Sequence, residues 1–336
     1  MGVQIAEIVP KKEIKIEDLR NKKLAIDAFN WIYQFLSIIR DRATGEPLKD
    51  SKGRVTSHLS GIFYRTSKLI EAGIKPIYVF DGTPPDFKYV TQERSEIRKE
   101  AEKKWKEALE KEDFENIRKY AQASSRLTAE MIEQSKKLLE YMGLPHVQAL
   151  SEGEAQCAYM CKEGLVFATA SQDFDSILFG SPRLVKNLSI SGKRKMPKQE
   201  GFYYIYPELI ELDKIKKETG LSREKLIIIG LLVGSDFNPG IKGIGPKKAL
   251  DLVNKEKTLD RVLGKIEWNI DVPAEKIYDF YLNPPAIDVE IKFRQIQPEK
   301  IIKFMVDEHE FSPERIDKVI KSLEKATQSS LQSWLK

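Results

Sequence analysis

An α/β domain built on a mostly parallel central sheet flanked by helices is what the sequence predicts, and three observations carry that prediction. Short apolar runs at 24–26, 76–80 and 165–170 alternate with stretches of helical periodicity, the pattern of strands joined by crossover helices. Each run ends on or runs into acids: Asp27, Asp81, and the pair Asp173 and Asp175. The last part of the chain is largely helical, with segments at 221–230, 246–254 and 313–325 followed by a polar tail.

Taken in order, the strand at 24–26 is followed by a helical pattern through Ile32, Phe35, Leu36 and Ile39. Thr44-Gly45-Glu46-Pro47 and Ser51-Lys52-Gly53 are turn-rich, so 41–56 reads as a loop. An amphipathic helix at 59–71 stops at Gly73 before the strand at 76–80. Residues 88–126 change character: charges of both signs dominate, and Ile97, Trp105, Leu109, Phe114, Ile117 and Tyr120 are sparse. Such a segment is either a solvated helical hairpin or a helical element projecting over a site. The α/β pattern then returns with a helix at 128–142 ended by Gly143 and Pro145, a short strand at 146–148, another helix, and the strand at 165–170. The stretch 183–198 holds six basic residues (Arg183, Lys186, Lys193, Arg194, Lys195, Lys198) and no acid. There is no internal repeat and no low-complexity linker.

With 336 residues and a 41% hydrophobic fraction the chain can bury a sizeable core. The net charge is 56 basic minus 51 acidic residues, or +5. That excludes a polybasic histone-like tail and an acidic solvating tail, and it is compatible with nucleic acid. Cys157 and Cys161 stand four apart with no second pair, so neither a disulfide framework nor a zinc site is expected. A buried helix face in a reducing compartment suits both. The longest apolar run, 226–233, is under half a membrane span. The N-terminus lacks the apolar stretch of a signal peptide, so a soluble intracellular protein is expected.

In a parallel sheet the C-terminal strand ends share one edge, where ligand sites form. Acids placed there by separate strands should converge. Glu152 and Glu154 open a helix at the same edge, and Asp236 follows the apolar run at 226–233. Seven carboxylates in one place repel, and without a cation several must stay protonated. Oxygen donors without His or Cys favour Mg²⁺ or Mn²⁺ over zinc. Two such ions about 4 Å apart can activate a water and stabilise the leaving oxygen of a phosphodiester. Each acid alone has a plainer reading. Asp27 and Asp81 can cap the next element, Asp-Phe-Asp can be a turn, and Ser151-x-x-Glu154 is also a capping box. Jointly these readings leave unexplained why every strand end carries an acid. A phosphotransferase with an aspartate nucleophile would need an acid pair after the first strand, where Asp27-Ala28-Phe29 has no second acid.

The turn Gly240-Ile241-Lys242-Gly243-Ile244-Gly245-Pro246-Lys247-Lys248 enters a helix but lacks the Gly-Lys-Ser/Thr ending of a phosphate-binding loop. Its backbone N–H groups and the lysines Lys242, Lys247 and Lys248 suit a DNA phosphate, with Gly243 and Gly245 keeping the backbone accessible. A plain helix–turn–helix connection is the alternative.

Together these residues resemble the flap structure-specific endonucleases shared by archaea and eukaryotes. The resemblance begins at Met1-Gly2-Val3-Gln4 and covers essentially the whole chain. Its most specific pieces are Ala25-Ile26-Asp27-Ala28, Tyr33-Gln34-Phe35-Leu36, Thr56-Ser57-His58-Leu59-Ser60-Gly61, Phe63-Tyr64-Arg65-Thr66, Tyr78-Val79-Phe80-Asp81-Gly82, Ser151-Glu152-Gly153-Glu154-Ala155-Gln156 and Ser171-Gln172-Asp173-Phe174-Asp175. It implies a 5′-flap endonuclease with 5′–3′ exonuclease activity, acting on branched DNA in replication and repair through two Mg²⁺ ions, with Mn²⁺ able to substitute. Asp27, Asp81, Glu152 and Glu154 would serve one metal, and Asp173, Asp175 and Asp236 the other. Lys88 matches the basic residue at the base of the family's helical arch. Its arginine partner falls on Arg94 once a one-residue gap is allowed, and that position is Ser95 without it. Lys88 and Arg94 would act with Asp27, Asp81 and Asp175 in catalysis. Tyr33 would stack on a base, and Arg40, Thr56 and Arg65 match positions lining the region for a 3′-flap nucleotide. The 240–245 turn would hold a monovalent cation such as K⁺. Gly2 would lie near the active site.

The tail resembles a box that binds a sliding clamp of the proliferating-cell nuclear antigen type: Gln328, Leu331, Trp334 and Leu335 within 328–336 would plug a clamp pocket. Usual partners end in two aromatics, where Leu335 stands here. The implied organisation is one α/β nuclease domain over 1–318, with an inserted arch at about 84–127 and a C-terminal helix–turn–helix DNA-binding region at about 221–255. Residues 319–336 would form the helix end and the clamp-binding tail. The protein would be a monomer without membrane attachment, in the cytoplasm or nucleoid of an archaeon. A non-catalytic junction binder would not need seven acids. A sister nuclease for repair bubbles or four-way junctions would carry a larger insertion between Asp81 and Glu152. With seven acids gathered at metals, the remaining surface should be more basic than +5 suggests, around 183–198, 242–248 and the arch.

Overall fold

The computed structural model describes residues 2–41, 44–88, 100–101, 103–104, 126–195 and 201–334. The apolar runs form a seven-stranded mixed sheet from β1 (Lys12–Glu13), β2 (Lys23–Asp27), β3 (Lys75–Phe80), β4 (His146–Gln148), β5 (Ala168–Ala170), β6 (Arg183–Lys186) and β9 (Glu208–Glu211). The spatial order is β1-β9-β6-β5-β2-β3-β4. The block β6-β5-β2-β3-β4 is parallel throughout, as expected, whereas β9 runs antiparallel to both β6 and β1. A separate hairpin pairs β7 (Gly192–Lys195) with β8 (Phe202–Ile205).

From β2 the chain moves outward through β3 to β4, then returns to the other side of β2 as β5. The order therefore reverses between β2 and β5. A crevice opens at the carboxyl ends of strands at such a reversal, and Asp27 and Asp173 stand on its two sides.

Helices cover both faces. On one, α1 (Ala28–Ile38), α2 (Ser57–Glu71), α3 (Ala129–Tyr141) and the long α12 (Pro313–Trp334) pack around Trp31, Phe63 and Tyr78, all essentially buried. Trp31 meets Tyr78 edge-on at 6.0 Å, and the Tyr78 hydroxyl hydrogen-bonds Thr66 at 2.6 Å, so the polar tip of a buried ring is satisfied. Another core gathers α5 (Asp175–Leu178), α7 (Arg223–Val233), α8 (Pro246–Glu256) and α10 (Ala274–Leu282). It draws on Ile227, Ile229, Phe237 and Tyr281, each such side chain worth about 1.5–3 kcal/mol when removed from water. Cys157 and Cys161 are free and buried on α4 (Gly153–Lys162).

Start signals sit where sequence places them. Thr128 accepts from Met131 N at 3.2 Å at the head of α3, and Ser222 from Lys225 N at 3.4 Å at the head of α7. The helix expected at 313–325 runs on through the polar tail as α12, as far as Trp334, and buries Leu323. Most of the segment expected to form an arch, including Arg94, and the last two residues, Leu335 among them, lie outside the described residues. Among the described residues no helix is long and apolar enough to cross a membrane.

Candidate active site

The strand ends deliver the acids one by one. Asp27 is the last residue of β2, Asp81 follows β3, and Asp173 and Asp175 follow β5. Glu152 and Glu154 sit at the head of α4 after β4, and Asp236 lies in the turn after α7. All seven line one open cleft of about 520 Å³, together with Asn30, Tyr33 and Lys88.

The plainer readings of these acids are partly true. Asp27 Oδ1 accepts from Asn30 N at 3.1 Å and so caps α1. Asp81 Oδ1 accepts from Gly153 N at 2.8 Å, capping α4 from a different strand end. The capping box expected at Ser151 and Glu154 does not form: Glu152 is the residue that precedes the first turn, and its side chain makes no cap bond. Glu154 is instead turned into the cleft, where its Oε1 is buried and without a hydrogen-bond partner. Capping accounts for one oxygen each of Asp27 and Asp81 and for nothing else in the cluster.

The remaining hydrogen bonds divide the cluster in two. Asp173 accepts from Gly2 N at 3.2 Å and from Asn30 Nδ2 at 3.0 Å. Asp175 accepts from Val3 N at 3.1 Å and from the Tyr281 hydroxyl at 2.6 Å. The N-terminal strap passes so close that a Cβ on Gly2 would stand 2.2 Å from Asp175 Oδ2; only glycine fits there. On the other side, Lys88 Nζ reaches both oxygens of Glu152, at 2.9 and 2.7 Å.

Electrostatics follows from this crowding. Burial and then the Asp81 charge push Asp27 well above the ordinary carboxylate range. Burial and the Glu152 charge lift Asp81 to about 6, against the pull of Lys88. Burial and the Asp236 charge lift Asp175 to about 7, and burial with Asp175 raises Glu154. Burial works against the Lys88 ammonium, but Glu152 and Asp81 outweigh it and raise its pKa. Among the described residues no three of these donors already surround one point as a ligand shell. That is what like charges do when the nearest cation is a lysine.

Of the residues expected to meet DNA, Tyr33 lines the same cleft. Arg40 donates from Nη1 to Gly45 O at 2.7 Å, and burial lowers its guanidinium to about 10. Thr56 is buried just before α2, with its N–H on Leu48 O at 2.7 Å. Arg65 lies apart from these, in a second cleft of about 360 Å³ with Lys68 and Tyr204. The glycine turn is built as expected: Gly240 and Gly243 have φ of 79° and 82°, and Gly245 precedes α8 without a side-chain cap, leaving its first N–H groups available. Lys248 folds back onto Gly243 O at 3.0 Å, whereas Lys247 is 82% exposed and 3.8 Å from Glu7. Gln328, Leu331 and Trp334 fall on the last turns of α12.

Of the basic residues at 183–198, Arg183 and Lys186 alone have described side chains. Arg183 donates from Nε to Phe167 O at 2.6 Å and lies over that ring, and Lys186 Nζ stands 3.6 Å from the centre of the Phe174 ring. Both are strand residues of β6 whose charge is turned onto the protein. Sequence reasoning also missed Asn30, Tyr281 and Arg223. Asn30 carried a signal, standing one helical turn after Asp27. Tyr281 and Arg223 carried none, since their partners lie far away in sequence.

Comparison with known proteins matches this arrangement throughout. Residues 1–102 match the XPG N-terminal domain and residues 143–236 the XPG I-region. Flap endonuclease 1 of Pyrococcus furiosus is 56% identical over 343 residues, covering 100% of both chains, and that of Thermococcus onnurineus is 53% identical over 99% of each. The structure of flap endonuclease-1 from Methanococcus jannaschii superposes with a TM-score of 0.77 at 42% identity, over 98% of this chain and 100% of that one. The catalytic core of Rad2 in complex with DNA substrate gives 0.70 at 26% identity, over 93% and 96%. With both XPG regions in place and full-length relatives above half identity, the chain belongs to the flap endonuclease family.

Proposed function

We propose that the carboxylate cleft at the β2–β5 reversal hydrolyses phosphodiesters of branched DNA carrying a 5′ flap, endonucleolytically at the junction and exonucleolytically from 5′ ends. The observation that carries this reading is the set of seven carboxylates in one cleft, with Glu154 Oε1 orphaned and four of the acids pushed upward by burial and one another. An all-oxygen donor set under mutual repulsion suits hard divalent cations, Mg²⁺ or Mn²⁺, and not zinc. Asp27, Asp81, Glu152 and Glu154 would hold one ion and Asp173, Asp175 and Asp236 the other. When bound, the two ions supply a nucleophilic water at neutral pH and Lewis-acid relief of charge on the phosphate.

The protein's own residues do the rest. Lys88, at the rim, exchanges Glu152 for the scissile phosphate, and Arg94 is its proposed partner. Tyr33 offers a face on which a terminal base stacks. Lys242, Lys247 and Lys248, with the N–H groups around Gly243 and Gly245, grip duplex phosphates without reading sequence, and carbonyls of the 240–245 turn suit K⁺. Arg40, Thr56 and Arg65 are assigned to the 3′ side of the junction. Gln328, Leu331, Trp334 and Leu335 would dock a sliding clamp, their spacing setting them along one side of a helix. One nuclease domain over 1–318, a monomer in the archaeal cytoplasm or nucleoid, completes the reading.

The test is cleavage of a 5′-labelled double-flap DNA beside plain duplex, with Mg²⁺ and with excess chelator. Short 5′ products that need both the flap and the metal are expected. Cutting that persists in chelator, or tight junction binding without cutting in metal, overturns the assignment.

A further inference from the structure

The phenol of Tyr281 hydrogen-bonds an acid of the cluster, and it reaches that acid from the buried side. Its ring is fully buried in α10 and clamped by Phe179 at 4.7 Å and Phe237 at 5.3 Å between ring centres. A tyrosine has two side-chain torsions, and this packing fixes both. The hydroxyl at the ring's tip donates to Asp175 Oδ1 at 2.6 Å. The turn that carries Asp175 is thereby joined to α10 through one hydroxyl.

The backbone beneath is tied in the same sense. Arg223 Nε donates to Leu178 O at 2.9 Å, and Nη2 donates to Phe179 O at 2.9 Å, to Leu282 O at 3.2 Å and to Tyr281 O. One guanidinium thus binds the end of α5, which Asp175 opens, to the end of α10, which carries Tyr281. Asp175 Oδ2 meanwhile accepts from Val3 N. Each carboxylate oxygen can accept twice, so both oxygens of Asp175 are held in place and both keep a lone pair for something in the cleft.

We propose that Tyr281 is a positioning residue for this site: its hydroxyl orients Asp175 so that this acid faces the divalent cation it would share with Asp173 and Asp236. The proposal deepens the metal-dependent reading above and rests on it. Groups that orient a metal-binding side chain are commonly worth about 10- to 100-fold in metal affinity or activity. The geometry supplies the reason here. In a repelling cluster, an acid without a fixed donor turns away from its neighbours, and the phenol removes that freedom from Asp175.

The experiment is a Mn²⁺ titration of the DNA-free protein, followed by electron paramagnetic resonance or calorimetry, on the wild type, Tyr281→Phe, Asp175→Asn and the double variant. Tyr281→Phe keeps the ring and its packing and removes one oxygen, and a thermal melt checks that it is folded. The expected result is Mn²⁺ binding weakened about 10-fold or more in Tyr281→Phe, with no further weakening when the same change is made in Asp175→Asn. Cleavage by Tyr281→Phe should then need more metal for half-maximal rate while the KM for DNA stays unchanged. Wild-type affinity in Tyr281→Phe, or an equal loss in both backgrounds, overturns the proposal and leaves the metal reading intact. No Mn²⁺ bound by the wild type overturns both. If Tyr281→Phe melts early, the titration is run well below its melting temperature, where wild-type Mn²⁺ affinity counts against the proposal in the same way.

Discussion

Both halves of the carboxylate cluster accept backbone N–H bonds, Asp27 and Asp81 included, and they differ in that one half also carries an ammonium. Asp173 and Asp175 are fastened by backbone N–H groups of the N-terminal strap, by Asn30 and by a buried phenol. Glu152 is held by the Lys88 ammonium, a single flexible side chain. Neutral donors orient an acid and leave its charge for a cation. An ammonium neutralises the acid and competes with that cation. The strap side is therefore preorganised for metal, and the Lys88 side is set to change partners when a phosphate arrives.

The comparison breaks most visibly at the acids. Asp175→Asn or Asp27→Asn should cut single-turnover flap cleavage by about 10³-fold or more, since several kcal/mol of charge stabilisation depend on them. Activity within about 10-fold of wild type would mean the cleft has been misassigned.

Lys88→Ala separates the halves. Cleavage should fall by about 10²–10³-fold, the scale for removing one donor to a developing charge. Mn²⁺ affinity of the free protein should not fall, because the variant removes a competitor for Glu152. Weaker Mn²⁺ binding in Lys88→Ala would place the lysine among the groups that orient metal-binding acids.

Gly2→Ala presses on the strap side alone. A Cβ 2.2 Å from Asp175 Oδ2 must displace either the strap or the acid, and a shift of this size should slow cleavage by about 10- to 100-fold. Junction binding measured in Ca²⁺ should be unchanged. Equal loss of binding would show that the strap serves DNA instead.

The smallest expected effect is on stability. The folded-state pKa of Asp175, about 7, lies above its ordinary value of 3.8. Between those values the folded state holds more protons than the unfolded one, so this group's contribution is fully present at low pH and is lost as pH rises through about 7. His58, lowered to about 4 by burial, slopes the opposite way, so the total is uninformative. The difference is not. Without metal, the Tm of Asp175→Asn relative to wild type should rise by a few degrees between about pH 4 and pH 7, and saturating Mg²⁺ should reverse its sign at neutral pH. A flat difference would mean that Asp175 ionises freely.

Sequence reasoning found what depends on chain direction and missed what depends on side-chain direction. Asp27, Asp81, Asp173 and Asp175 were legible because strand ends in a parallel sheet share an edge, so position along the chain fixes position in space. β9, the tetrapeptide Glu-Leu-Ile-Glu, was too short and too polar to stand out. Arg183 and Lys186 were counted as DNA-facing because a sequence gives charge but not orientation, and pairing of β6 with β5 and β9 turns them onto Phe167 and Phe174. Tyr281 was invisible for the same reason at longer range: its hydroxyl meets an acid 106 residues away.

The most direct test of the account is anomalous scattering from crystals of the DNA-free protein soaked in Mn²⁺. The account predicts a first peak at low Mn²⁺ among Asp173, Asp175 and Asp236, on the preorganised side. A second among Asp27, Asp81, Glu152 and Glu154 should fill only at higher Mn²⁺, once Lys88 has left Glu152. A first peak on the Lys88 side, or manganese bound outside the cleft alone, would contradict it.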